Sequence, residues 1–125
     1  MNTMYAREAY LGADEYVDVV RKSGLNRPVE DRGRVERMLA HANLILTARQ
    51  DGRLVGFARS LTDFSFCCYL SDLAVDKACQ GQGIGKRLIE ETRTAAGGTL
   101  TTTLLLSAPT AMTYYQGIKM PQADN

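Results

Sequence analysis

Glycines at positions 81, 83 and 85 lie directly between a strand-like segment and a helix-like segment. The run Phe66 to Val75 before them is mostly apolar, and after them the apolar positions recur at the helical period as far as Ala96. Leu100 to Leu106 then has the composition of a second, buried strand. This succession predicts a strand-helix-strand crossover, which requires two parallel strands in the same sheet.

A hairpin is predicted ahead of the crossover. The strand-like runs Leu44 to Arg49 and Leu54 to Ser60 are separated by a short segment that contains Asp51-Gly52. Asp-Gly is typical of tight hairpin turns, so the two runs are predicted to pair antiparallel. A hairpin combined with one crossover predicts a mixed, mostly antiparallel sheet flanked by helices, an α/β fold of the α+β kind.

The remaining elements complete the order β-α-α-β-β-β-α-β-α. A short first strand is predicted over Met4 to Leu11, a helix over Ala13 to Ser23, and a second helix capped by Asp31. The second helix has an apolar stripe of Val35, Met38, Leu39 and Ala42, and a last helix after Pro109 carries Ala111, Tyr114, Tyr115 and Ile118. The chain has 125 residues and no linker rich in Pro, Gly or Ser, so one domain spanning residues 1–125 is predicted.

The glycines and the helix that follows them predict an anion-binding site. Glycine lets the backbone approach a phosphate closely, and the start of a helix adds unpaired N–H donors and a favourable dipole. Lys86 falls in the first helical turn, where a positive charge opposes the dipole but suits a phosphate. The sequence therefore favours a phosphate-containing ligand.

Two common phosphate motifs do not match the spacing. The dinucleotide fingerprint G-x-G-x-x-G would need a small residue at position 86, where Lys86 stands, and an acidic residue after the next strand, where Ser107 follows Leu106. The P-loop would need glycine in place of Gln80 and serine or threonine in place of Arg87. Dinucleotides and nucleoside triphosphates are therefore disfavoured.

The segment from Leu73 to Leu88 resembles the signature of the GCN5-related N-acetyltransferases, [QR]-x-x-G-x-[GA] behind a strand. The resemblance implies the acyl-CoA N-acyltransferase fold and acetyl-CoA as cosubstrate. It also implies that the strand backbone pairs with the pantetheine arm and that the loop holds the pyrophosphate of coenzyme A. By this resemblance the cofactor-binding residues are Leu73, Ala74, Val75, Gln80, Gly81, Gln82, Gly83, Ile84, Gly85 and Lys86.

A second segment, Ala111 to Tyr115, is similar to the family's A-x-x-F-Y. The resemblance implies that Tyr115 lies near the thioester sulfur as general acid, with Tyr114 as a packing residue. A phenol with a pKa of about 10 can protonate a departing thiolate with a pKa of about 8.5 only if it is held close to the sulfur.

The reaction implied by the resemblance is direct attack of a neutral amine on the acetyl carbonyl. A backbone N–H near Leu73 to Val75 would polarise the carbonyl oxygen. Some family members carry a glutamate base in the fourth strand, where this chain has Tyr69, so Asp72 or a chain of waters is the remaining candidate for the base. A structural hydrogen-bonding role for Asp72 is the alternative.

The expected acceptor is a primary amine of a small molecule or protein. The alternatives are an acyl-CoA-binding module with impaired catalysis and an interaction domain.

Composition disfavours several other functions. A net charge of +1, from 15 basic and 14 acidic residues, provides no field for nucleic acid or an acidic membrane. The three cysteines and His41 have no metal-ligand spacing, so no metal is expected. The chain has no long apolar run and no apolar segment near its start, which predicts a cytoplasmic protein.

The family fold usually adds two strands after the tyrosine-bearing helix, and this sequence stops before them. An unpaired inner strand at Leu100 to Leu106 would expose backbone groups. We therefore expect either a homodimer or a marginally stable protein.

Overall fold

The computed structural model describes residues 2–105, which form a five-stranded sheet in the spatial order β1-β2-β3-β4-β5. The helix predicted after Pro109 lies outside this range. The elements are β1 (Met4–Arg7), α1 (Ala13–Ser23), α2 (Arg32–His41), β2 (Leu44–Gln50), β3 (Arg53–Thr62), β4 (Cys67–Val75), α3 (Ile84–Ala95) and β5 (Thr102–Leu105). Short 3-10 turns occupy Lys77–Cys79 and Gly98–Leu100.

The pairing of the strands confirms the predicted mixed sheet. Strands β1 to β4 pair antiparallel in sequence order, and β5 pairs parallel with β4. In chain order, α3 connects β4 to β5, so it is the predicted crossover helix. The predicted hairpin is formed by β2 and β3, with Asp51 and Gly52 at positive φ in its turn.

Two predicted strands were too long. β1 ends at Arg7, because Leu11 turns inward and is buried in the apolar cluster around α1. Leu100 lies outside β5 and is 75% exposed, since Gly97 and Gly98 adopt positive φ and begin a 3-10 turn. In both cases, an apolar residue near the end of a strand belongs to the adjoining loop or turn and not to the sheet.

Each face of the sheet is covered by helices. One apolar cluster lies under α1 and α2, with Tyr16, Val35 and Phe57 among its buried members. The other cluster lies under α3 and includes Leu70, Leu88 and Ile89. The predicted cap of α2 is confirmed, because the Asp31 side chain accepts a hydrogen bond of 3.0 Å from the Arg34 N–H.

A β-bulge in β4 changes which face each side chain meets. Arg59 is opposite Asp72 and Ser60 is opposite Leu70, so Ser71 is the extra residue. Before the bulge, Leu70 packs in the cluster under α3, whereas after it Ala74 packs in the cluster under α1. The bulge therefore places the Asp72 side chain on the α1 face.

Gly56 in β3 permits the close approach of α3 to the sheet. A Cβ at this position would lie 3.3 Å from both Ile84 Cγ2 and Leu88 Cδ1, and 3.1 Å from the Ala74 carbonyl oxygen. Ile84 and Leu88 are both buried, so α3 has little room to retreat. Gly56 thus determines how closely the first turn of α3 lies against the sheet.

We expect Gly56→Ala to destabilise the fold by about 1–3 kcal/mol through overpacking under α3. Gly33→Ala in the exposed first turn of α2 is the control, because its new Cβ would make only ordinary contacts, 3.5 Å to Arg37 Nη1 and 3.8 Å to Asp31 Oδ1. Urea denaturation of both variants measures the difference. Equal free energies of unfolding for the two variants would contradict this account of Gly56.

Candidate active site

The glycine-rich loop is built on two left-handed residues. Gly81 has φ 86° and Gly83 has φ 79°, and Gly83 is the N-cap of α3. A Cβ at either position would meet no atom of the described residues within 4 Å, so glycine is required here by the backbone conformation and not by lack of space. The loop is therefore exposed, with open space beside both glycines.

The N–H groups of residues 81 to 86 are uncommitted. The first hydrogen bond of α3 runs from the Arg87 N–H to the Gly83 carbonyl at 3.0 Å. Within residues 2–105, the N–H groups that precede it, from Gly81 to Lys86, have no protein acceptor. A run of free donors at the positive end of a helix dipole is suited to a diphosphate.

The carboxyl end of β4 offers a second set of backbone groups. The Asp76 N–H donates to the Val55 carbonyl of β3 at 2.8 Å, whereas the Val75 carbonyl accepts from Gln80 Nε2 at 3.0 Å. Because successive residues of a strand face opposite edges, the N–H groups of Val75 and Leu73 are directed away from β3. Among the described residues, β5 pairs only with Cys67 to Leu70. The edge formed by Leu73 and Val75 can therefore pair with an extended ligand.

Asp72 is the centre of a buried polar cluster just beyond the bulge. Its side chain is 0% exposed, and Oδ2 accepts from Arg59 Nε at 2.6 Å and from the Tyr16 hydroxyl at 2.8 Å. Oδ1 accepts from Arg27 Nε at 2.6 Å, and Arg27 Nη2 also donates to the Ser71 carbonyl at 2.8 Å. Arg27 thereby joins the loop between α1 and α2 to the bulge.

The cluster holds Asp72 in its ionised form. Burial would raise the pKa of the carboxyl, but the hydrogen bonds and charge of Arg59, together with Arg27 and Tyr16, outweigh it and lower the pKa below the ordinary value. Burial and the adjacent Asp72 charge raise the pKa of Tyr16 far above its ordinary value. With both oxygens occupied and a lowered pKa, the surroundings of Asp72 favour a structural role over proton acceptance.

Comparison with known proteins identifies the family. The sequence matches the family described as the acetyltransferase (GNAT) domain over residues 19–118. The chain belongs to the GNAT acetyltransferase family. It is 31% identical over 100 residues to an uncharacterised N-acetyltransferase, ycf52, of Porphyra purpurea, covering 74% of this chain and 54% of that one. The chain thus spans about half the length of this curated relative.

Solved structures share the GNAT fold. A GNAT-family acetyltransferase of Streptococcus pneumoniae superimposes with a TM-score of 0.79 at 18% identity, over 96% of this chain and 88% of that one. The PaiA N-acetyltransferase of Thermoplasma acidophilum, solved in complex with coenzyme A, gives a TM-score of 0.74 at 15% identity, over 94% and 88%. The family and the fold inferred from the sequence motif are therefore confirmed.

The fold brings most of the predicted GNAT site residues together. Leu73 to Val75 and Gln80 to Lys86 form one continuous edge and loop at the same end of the sheet. Tyr115 lies outside the described residues. Sequence reasoning missed the pairing of Arg27 and Arg59 with Asp72. The available signal was Arg59, the one charged residue in the strand-like run Leu54 to Ser60, because a buried charge needs a partner.

Residues 2–105 contain neither a cluster of metal-binding side chains nor a membrane-spanning helix. No group of three or more His, Cys, Asp or Glu side chains in this range could hold a metal ion. No helix in the same range combines the length and the apolar character needed to cross a bilayer.

We expect Asp72→Asn to lower the free energy of unfolding at pH 7 by about 3–5 kcal/mol, because it removes the charge that two arginines share. The lowered pKa means that Asp72 stabilises the fold above the ordinary aspartate pKa of about 3.9. This contribution is lost as the pH falls through the lowered folded-state pKa. Urea denaturation between pH 3 and pH 7 measures this effect. The difference in free energy of unfolding between the parent protein and the variant should become smaller as the pH falls.

Asp18→Asn is the control for this experiment. Asp18 forms an exposed i,i+4 pair with Lys22, so its replacement should change stability by less than about 1 kcal/mol. A pH-independent gap for Asp72→Asn, or equal losses for the two variants, would refute the buried-charge account.

Proposed function

We propose that this GNAT chain binds acetyl-CoA and transfers the acetyl group to a primary amine of a small molecule or protein. Among residues 2–105, the N–H groups from Gly81 to Lys86 at the start of α3 have no protein acceptor, and this run of donors is the observation that supports the proposal. Its position beside the outward-facing edge of β4 suits a ligand with a diphosphate and an extended, amide-containing arm.

The loop is assigned to the pyrophosphate. The N–H groups of Gly81, Gln82, Gly83, Ile84, Gly85 and Lys86 are the proposed donors, and the Lys86 ammonium adds a positive charge in the first turn of α3. Gln80 supports the loop from behind through its bond to the Val75 carbonyl. The T. acidophilum PaiA N-acetyltransferase, which has the same fold, was solved in complex with coenzyme A, and this supports coenzyme A as the ligand.

The edge of β4 is assigned to the pantetheine arm. The N–H groups of Leu73 and Val75 face this edge, so they can pair with the arm. Between them, the Ala74 side chain packs in the cluster under α1 and anchors the strand. An arm that runs from the loop along this edge reaches the bulge at Ser71 with its thioester end. The acceptor amine would then approach the thioester next to the Asp72 cluster.

The chemistry is a direct transfer. A neutral amine attacks the acetyl carbonyl, the carbonyl oxygen gains negative charge that an N–H of the β4 edge stabilises, and the C–S bond breaks. Tyr115 is the proposed acid that protonates the departing thiolate. Asp72 is proposed to hold the bulge and Arg27 in place, and the amine proton leaves through another group or water.

One observation favours an alternative function, an acyl-CoA-binding module that transfers nothing. Tyr69 occupies the β4 position at which some family members carry a glutamate base, and its side chain is 39% exposed in this structure. Incubation with acetyl-CoA and a panel of primary amines distinguishes the two functions. Amine-dependent release of free thiol supports the enzyme, and coenzyme A binding without thiol release supports the module.

We expect Gly83→Glu to abolish coenzyme A binding, because it places a negative side chain beside the proposed diphosphate. Gly52→Glu is the matched control. Gly52 also has a positive φ, 80°, and also has nothing within 4 Å of a new Cβ, but it lies in the β2–β3 turn. Titration calorimetry with coenzyme A should give parental affinity for Gly52→Glu. Retained affinity in Gly83→Glu would refute the loop assignment.

We expect Tyr115→Phe to slow acetyl transfer and to leave coenzyme A affinity nearly unchanged, since it removes only the proton that the thiolate would receive. Steady-state rates with a responsive amine, compared with the dissociation constant for coenzyme A, test this expectation. An unchanged kcat would show that Tyr115 is a packing residue.

A further inference from the structure

A buried glutamine lies beneath the glycine loop. Gln50, at the end of β2, is 5% exposed, and its carboxamide contacts three separate segments of the chain. Nε2 donates to Thr3 Oγ1 at 3.0 Å and to Gln82 Oε1 at 3.3 Å. Oε1 faces the thiol of Cys79 at 3.7 Å. One side chain thus joins the residue before β1, the turn after β4 and the loop itself.

The bond from Gln50 to Gln82 tethers the middle of the loop, whereas Gln80 holds its start through the Val75 carbonyl. Within the described structure, it is the one side-chain hydrogen bond made by residues 81 to 86, and their N–H groups have no protein acceptor. Gln82 lies between Gly81 and Gly83, and glycine itself restricts the backbone very little. Without this bond, residues 81 to 83 would lose their side-chain tether, whereas Gln80 and the buried Ile84 would still fix the two ends of the loop.

We propose that Gln50 is a positioning residue that holds the loop in its coenzyme A-binding shape through Gln82. The inference rests on the proposed function, and it assigns to Gln50 no contact with the ligand. A neutral carboxamide suits this position, because it donates to the Gln82 side chain without placing a negative charge under an anion site. Preorganisation of the loop lowers the conformational cost of binding.

Coenzyme A affinity, measured by calorimetry, tests the proposal with Gln50→Met, Gln82→Ala and the double variant. Each single variant should bind about three- to tenfold more weakly, the effect of one neutral hydrogen bond. Because Gln50 acts through Gln82, the two effects should not add. The double variant should bind coenzyme A as tightly as the single variant of lower affinity. Thr3→Val removes a different partner of the same carboxamide, and its affinity should equal that of the parent protein.

Thermal unfolding of each variant separates positioning from a general loss of structure. A merely structural role for Gln50 would weaken binding by the same factor whether or not Gln82 is present, and that result would overturn the proposal. The exposed Gln82 can be replaced without disturbing the core, so Gln82→Ala carries the test if Gln50→Met does not fold. Parental affinity in Gln82→Ala would overturn the proposal and leave the proposed function standing. Failure of the unchanged protein to bind coenzyme A would overturn both.

Discussion

One extra residue in β4, Ser71, sets the positions of the Asp72 cluster and of the strand edge at Leu73 and Val75. Without the bulge at Ser71, Asp72 would follow Leu70 onto the α3 face, because side chains alternate strictly along a regular strand. With it, Asp72 meets Tyr16 and Arg59 on the α1 face. The backbone of Leu73 and Val75 is thereby directed toward the free edge beside the glycine loop. A single unpaired residue thus arranges both the polar cluster and the proposed ligand edge.

Charged hydrogen bonds hold the bulge in place. A buried carboxylate must be paired, and Asp72 accepts from two guanidinium groups while Arg27 also donates to the Ser71 carbonyl at the bulge itself. Such a cluster adds little net stability compared with apolar residues of similar volume, but the loss of one member is costly. Its value here is geometric, because it fixes the loop between α1 and α2 against β4.

The sequence predicted the elements that depend on local chemistry. Asp51-Gly52 located the hairpin, Asp31 located the start of α2, and the glycines with the change of period located the crossover. It failed where long-range contacts decide the outcome. The sequence pattern predicts strands that include Leu11 and Leu100. In the structure, Leu11 is buried under α1 and Leu100 belongs to a 3-10 turn. Tyr16, Arg27 and Arg59, the partners of Asp72, are 56, 45 and 13 positions away in sequence, and no local pattern relates them.

Glycine serves two different purposes near the proposed site. Gly56 is needed for space, because α3 lies directly over it. Gly81 and Gly83 are needed for their positive φ, since no other described residue crowds them. Gly56 lets the start of α3 lie close to the end of the sheet. Gly81 and Gly83 shape a loop whose N–H groups have no partner among residues 2–105. Exposed donors of this kind are hydrated until an anion replaces the water, so their strength as a site depends on how well the loop keeps its shape. That requirement explains why a loop with so few internal bonds is tethered by Gln80 on one side and by Gln82 on the other.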